Sequence, residues 1–166
     1  VIHKKGSPMC RLLISAFSIF ILLSSCSNQQ ELQINEADIV DVCDSIKQSF
    51  DLRDFDSMLL HFSEEVLINV DIPTPQGVKN IELNKESYRL LLEEIVKMAD
   101  SYSYEISDMD VTINEDGTSA IVTSTLSETL IMSGQTINST TYEKTTFELI
   151  EKKPMVTSFS AKLSKY

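Results

Sequence analysis

Cysteine, histidine and tyrosine are the side chains of this sequence that could do chemistry beyond carrying charge, and they are sparse. Of three cysteines, Cys10 and Cys26 flank an apolar run and Cys43 stands alone beyond it. A lone thiol forms no intramolecular disulfide, and its use as a nucleophile needs a base beside it. Cys43 keeps helical step with Ile39, Ile46 and Phe50, so it is expected to pack in a core as an inert small hydrophobe. His61 is the single histidine after position 25, which excludes a metal centre built on imidazoles there. The acidic pairs Glu64–Glu65 and Glu93–Glu94, and Asp108 with Asp110, read as solvated surface. They lack the ligand alternation of a calcium loop, and the sequence holds neither a glycine-rich phosphate loop nor a Gly-x-Ser-x-Gly elbow. No catalytic residue, metal or cofactor is therefore assigned. His61 and Tyr88 are the candidate ligand-binding residues, and Tyr102, Tyr104 and Tyr142 could join them at a pocket rim, since tyrosine pairs an apolar ring with a polar tip.

The charge distribution narrows the partners. The 166 residues carry a net charge of −11, with all 25 acidic residues after position 26 and Lys4, Lys5 and Arg11 before it. Removing residues 1–25 takes away those three basic residues and no acidic one, leaving −14. Such a surface repels phosphate backbones, so nucleic-acid binding is excluded as a function class.

Periodicity places the segments that carry these residues. Ile39, Val42, Cys43, Ile46 and Phe50 recur at three- and four-residue steps and predict a helix from Glu36 to about Phe50, capped by Asn35. A second, shorter helix begins near Asp54, with Phe55, Met58, Leu59 and Phe62 inward. Val66 to Val70 reads as a strand, and Pro73 to Gly77 as a loop. An extended piece from Val78 to Leu83 precedes a third helix, capped by Asn84 and burying Tyr88, Leu91, Leu92, Ile95, Val96 and Ala99. The remainder alternates as strand: 104–113 with a bulge at Ser107–Asp108, a turn at 114–117, then 118–132, 136–152 after a turn at 133–135, and a last strand after a turn at Lys153–Pro154. Thr123, Thr125, Ser127, Thr129, Thr140, Thr141, Thr145 and Thr146 make the central strands rich in hydroxyls. A face of that kind is hydrated unless a partner covers it. Long strands must bend, and helices packed on the concave side of a bent sheet enclose a cone with an apolar interior.

The N-terminal segment has a separate logic. Lys4, Lys5 and Arg11 precede the run from Leu12 to Leu23, which ends in Ser24-Ser25-Cys26. Twelve apolar residues span about 18 Å as a helix, too short for a hydrocarbon core of about 30 Å, and the layout is that of a secretory signal. Leu23-Ser24-Ser25-Cys26 resembles the lipobox of bacterial lipoproteins. That resemblance implies diacylglycerol transfer to the Cys26 thiol, cleavage before it, and attachment to a membrane through two or three acyl chains, the number that makes anchoring stable. Residues 1–25 would be the signal peptide and 26–34 a polar tether. The expected location is the bacterial cell envelope, on an outer membrane where one exists.

From Asn35 to Tyr166 the element order, with the stretch Asp54-Phe55-Asp56-Ser57-Met58-Leu59-Leu60-His61-Phe62-Ser63-Glu64-Glu65-Val66, resembles the NTF2-like (SnoaL-like, cystatin-like) superfamily. The resemblance implies an α+β cone in which about three N-terminal helices pack on a strongly bent antiparallel sheet, and it places His61 near the pocket mouth. In the ketosteroid-isomerase branch a general-base Asp follows the helix-two aromatic. Here that count lands on Val70, and strand alternation turns Asp71 to the opposite face. The expected role is a non-enzymatic, lipid-anchored module that binds a small apolar ligand or a protein partner. The alternatives are a lyase- or isomerase-type enzyme and a structural module that forms homodimers.

Overall fold

The computed structural model describes residues 33–74 and 77–165. Asn35 caps the first helix, α1 (Glu36–Asp51), through a reciprocal pair with Asp38: the Asp38 amide donates to the Asn35 side chain, and the Asn35 amide to the Asp38 carboxylate. Such a pair satisfies amides that a helix start leaves without partners. Asp54 and Asn84 cap α2 (Phe55–Leu59) and α3 (Lys85–Met98) through their side-chain oxygens, which accept from the Ser57 and Ser87 amides. The expected helices and the expected caps Asn35 and Asn84 are thus present, and Asp54, where the second helix is expected to begin, is a third cap.

Among the described residues the strands form one six-stranded sheet in the order β2-β1-β6-β5-β4-β3. The strands are β1 (Phe62–Thr74), β2 (Gly77–Leu83), β3 (Ser101–Ile113), β4 (Ser119–Met132), β5 (Gln135–Ile150) and β6 (Lys153–Lys165). Their length comes from runs of Val, Ile, Thr and Tyr, whose branched or aromatic side chains fit a pleated, half-buried surface. The sheet is mixed rather than wholly antiparallel, because β1 lies parallel to β6 while every other pair is antiparallel. A parallel neighbour needs a long crossover, and the whole of β2 to β5 supplies it.

Three sequence boundaries shift. The strand expected from Val66 begins at Phe62, because Phe62 already pairs with Val156 of β6. It also runs on to Thr74, so Asp71 sits within a strand rather than beside a loop. The last hairpin turns at Glu151–Lys152, with φ of 50° and 68°, and Pro154 lies inside β6 opposite Leu149. Two residues at positive φ give the twist that matches flanking strands, and this outweighs the turn signal of proline. Ser133–Gly134 makes the same turn between β4 and β5, with φ of 50° and 74°.

The sheet bends at register shifts. The bulge expected at Ser107–Asp108 is present between Ser107 and Asp110, with Asp108 at φ 53°. Two further shifts break the β5–β6 ladder, at Thr140/Thr141 and Thr146/Phe147. Each inserted residue increases local twist, and α1 and α3 pack on the concave side so produced. Phe147, Ile39, Ile68 and Val156 are fully buried there.

The chain enters this core at Ile34, which is 4% exposed and donates its amide to the Gly117 carbonyl at 2.8 Å. Gln33 lies across Gly117, which closes the β3–β4 hairpin at φ 70°. A Cβ there would come within 2.8 Å of the Gln33 side chain, so two separate constraints select glycine. Gln33 and Ile34, assigned to the tether by sequence, therefore pack against the hairpin.

Candidate functional site

The central strands carry the site. In β4 the even positions Ala120, Val122 and Ser124 are buried, and in β5 the odd positions Thr141 and Phe147 are buried. These residues define the concave face, because side chains two apart share one side of a strand. The same phase continues to Glu128 on β4 and to Ser139 and Glu143 on β5. The register sets Glu128 opposite Ser139 and Ser124 opposite Glu143. β3 adds Tyr102 and Tyr104, which pair with Leu130 and Glu128.

These side chains form two connected groups on the concave wall. The Tyr102 hydroxyl donates to Glu128 Oε1 at 2.5 Å, and the Ser139 hydroxyl donates to Glu128 Oε2 at 3.0 Å. Four residues along each strand from that pair, Ser124 donates to Glu143 Oε2 at 3.2 Å. Neither glutamate is in an ion pair among the described residues. Burial, reinforced by the Glu128 carboxylate and opposed by the Ser124 hydrogen bond, pushes Glu143 up to about 7. Tyr88 of α3 faces the same wall. Burial and then the Glu143 and Glu128 charges push its hydroxyl above the ordinary tyrosine value. No hydrogen bond among the described residues engages that hydroxyl.

Aromatic rings surround the acids. Tyr88 packs on Phe159 with ring centroids 5.8 Å apart and on Phe62 at 6.4 Å. Phe50, near the end of α1, meets Tyr102 edge-on at 5.9 Å and Tyr104 at 5.4 Å. The Tyr104 hydroxyl bonds Asp51, and Lys47 pairs with Asp51 at 2.7 Å while lying over the Tyr104 ring. This exposed cluster ties the end of α1 to β3.

The structure places the sequence candidates unevenly. Tyr88 is in the site. Tyr102 and Tyr104 join it, but Tyr142 is half-exposed on the outer face, because it falls in the other phase of β5. His61 is elsewhere. It follows α2 in the turn leading to β1, its Nε2 lies 2.9 Å from Ser45 Oγ, and its carbonyl accepts from the Val156 amide. Val156 is the cross-strand partner of Phe147, four residues along β5 from Glu143 and eight from Ser139, so the His61 backbone lies toward the apolar end of the wall. Burial lowers the His61 pKa, so the ring is a neutral hydrogen-bonding partner for α1. Cys43 is partly buried, and burial followed by the Asp44 charge pushes its thiol up to about 11, which fits an inert core residue. Asp71 lies in the outer phase of β1, accepts from Asn80 and from the Leu163 amide, and has Val70 buried beside it. Cys26, the signal segment and most of the tether lie outside the described residues.

The expectation of an apolar interior is corrected at one end of the cone, where the concave wall carries acids. Periodicity of apolar residues does not single out Glu128 and Glu143, because each is flanked by polar neighbours. Their signal is phase: each is an acid on the buried beat of an alternating strand, in step with Ala120 and Val122 or with Phe147. The hydroxyl-rich set also divides by phase. Thr123, Thr125, Ser127, Thr129, Thr140 and Thr146 face outward, whereas Thr141 and Thr145 face the interior.

Two surface clefts, of about 330 and 350 Å³, open on the helical side and share Asp56. Arg89 crosses this region in ion pairs with Glu86 and Glu93, and Lys85 pairs with Glu64. Their charges are thus met within the protein. Among the described residues no group of three or more His, Cys, Asp or Glu is placed to hold a metal ion, and no helix is long and apolar enough to cross a membrane.

Solved structures share this arrangement of helices on a bent sheet. An NTF2-like protein from Cytophaga hutchinsonii superposes with a TM-score of 0.59 at 16% identity, covering 78% of this chain and 99% of that one. The fold is NTF2-like. A protein with a cystatin-like fold from Nostoc punctiforme matches the same cone with a TM-score of 0.56 at 13% identity, over 80% of this chain and 95% of that one. A ketosteroid isomerase-like protein from Erwinia carotovora atroseptica does so at 0.59 and 12% identity, over 80% and 100%. No protein-family model and no curated protein matches the sequence. At these identities the NTF2-like cone is shared as a fold, and chemistry must be argued from the side chains.

Proposed function

We propose that this chain is a lipid-anchored cell-envelope protein, attached through acyl chains on Cys26, whose NTF2-like cone binds a small ligand on its concave face. The observation that carries the binding reading is the polar set on the concave wall: Glu128 held by Tyr102 and Ser139, Glu143 held by Ser124 four residues along the strands, and Tyr88 of α3 facing the same wall. Acids on a buried face cost desolvation free energy, and a fold that needed only a packed interior would gain by replacing them. A few polar groups on an apolar, aromatic wall are the usual makeup of a ligand site. The ligand therefore has a polar end as well as an apolar body.

A second reading has its own support. Glu143, pushed up to about 7, can both take and give a proton near neutral pH, the range in which general acid–base groups work best. In a lyase- or isomerase-type reaction Glu143 would move the proton, while Tyr102, fixed by Glu128, and Tyr88 would orient the substrate by hydrogen bonding.

Mass spectrometry of small molecules retained by the purified protein tests the binding reading. Retention by the wild type and its loss in Glu128→Gln and Glu143→Gln together is the expected result; recovery of nothing from the wild type would remove it. The anchor is tested separately. Cys26→Ala should abolish acylation and leave unprocessed precursor, and normal processing of that variant would overturn the attachment.

A further inference from the structure

We propose that the sheet end carrying the β3–β4 and β5–β6 turns is held against the lipid headgroups, and that the polar end of the concave wall is presented to the aqueous side. This rests on the attachment through Cys26 and deepens it by assigning the face of the domain that meets the membrane.

The point where a lipidated chain joins its domain decides which face lies near the bilayer when the tether is short and the junction is fixed. Gln33 is seven residues from Cys26, and seven residues reach at most about 25 Å in any conformation. The junction is held by neighbouring residues. The Ile34 amide donates to the Gly117 carbonyl at 2.8 Å, and the Gln33 side-chain amide donates to the Asp116 carbonyl at 3.2 Å. Ile34 belongs to the buried core, and Gln33 fills the space that a Cβ on Gly117 would need. Peeling this segment away would expose Ile34 and break both bonds, so the tether ends at Gln33 and not at the start of α1.

Gly117 closes the β3–β4 turn, and the Leu149 amide donates to the Thr118 carbonyl at 3.1 Å, which sets the β5–β6 turn beside it. This end exposes Glu115, Asp116, Glu151, Lys152 and Lys153. Charges of both signs suit the hydrated headgroup layer and not the acyl core. The polar end of the wall is a helix length away. α1 starts just after the Ile34–Gly117 bond and ends at Asp51, which bonds Tyr104, the cross-strand partner of Glu128. Its sixteen residues rise about 24 Å, so α1 is a strut between the junction and the polar end. Charge opposes the alternative in which the domain lies flat. Without residues 1–25 the chain carries −14, and an anionic headgroup layer repels it within a Debye length of about 8 Å.

Energy transfer from a single dye on the processed, acylated protein to headgroup-labelled lipid tests this, in vesicles of equimolar phosphatidylcholine and phosphatidylglycerol. The dye is placed at Glu115→Cys or at Gln135→Cys, both exposed and at opposite ends of β4, in a Cys43→Ala background. The fourteen residues of β4 separate the two positions by up to about 46 Å, so transfer from Glu115→Cys should be at least about twofold the greater. Inserting about twenty Gly and Ser residues after Glu31 lengthens the tether without touching the junction and should erase most of that difference. Equal transfer from both positions, or greater transfer from Gln135→Cys, with acylation of Cys26 verified by mass spectrometry, would overturn the orientation and leave the attachment standing. A difference unchanged by the insertion would likewise overturn the tether as its cause. Transfer from neither position together with an unacylated Cys26 would remove attachment and orientation alike.

Discussion

The two ends of the cone solve opposite problems. Near the β3–β4 hairpin, Phe147, Val156 and Ala120 interdigitate with Ile39 and Ile68, and each is at most 1% exposed. Eight residues along β5 the same concave face carries Ser139 and Glu128, with Tyr102 beside them. One continuous strand face is thus dry and apolar at one end and polar at the other. Apolar burial contributes stability without direction, whereas acids on a shielded wall cost stability and specify what they meet. The apolar end holds the bent sheet in shape, and the polar end uses that shape.

The strongest test of this division is Phe147→Ala. Truncating a fully buried phenylalanine should cost about 3–5 kcal/mol, read as a fall in the denaturation midpoint. Survival with little loss would mean that the apolar end does not carry the fold.

Next in size is the pH dependence of the polar end. Glu143 is raised to about 7 in the folded state from an ordinary 4.5. The folded protein therefore binds more protons than the unfolded chain between those values. The resulting stabilisation is complete below about pH 4.5 and is lost as pH rises through 7. Glu143→Gln removes the loss. Chemical denaturation should find the variant more stable than wild type by on the order of 2–3 kcal/mol at pH 8, with little difference at pH 4. An equal difference at both values would show that the acid is not shielded.

The smallest effect belongs to the entry of the chain. Gly117→Ala places a Cβ against Gln33 at a residue with φ 70° and should cost about 1–2 kcal/mol. Amide exchange should accelerate first at Ile34, whose amide bonds Gly117. Unchanged exchange there would show that the entry segment is not held by the hairpin.

Much of the fold is legible in the sequence because it is set locally. Asn35, Asp54 and Asn84 are caps whatever the helices pack against, and the slip in alternation at Ser107–Asp108 marks a bulge before any partner strand is known. The turns are less legible where geometry and residue preference disagree, as at Glu151–Lys152, which adopts positive φ ahead of a proline. The parallel partner of β1 cannot be read, since nothing near Phe62 encodes a strand more than ninety residues away. The site is half legible: Tyr88 lies on a helix face that periodicity exposes. His61 is not, because its proximity to Leu59 and Phe62 says nothing about which end of the cone it occupies.

Local sequence specifies where helices start, where most strands turn, that the charge is acidic, and that a lipobox-like Cys26 ends an apolar run. These features depend on residue type or on residues within a few positions of one another. That Glu128 and Glu143 share a wall with Tyr88, that His61 does not, and that no described lysine pairs with them emerges only from the assembled chain. Those facts depend on register between strands and on the bend of the sheet, and register is set by the packing of the whole chain.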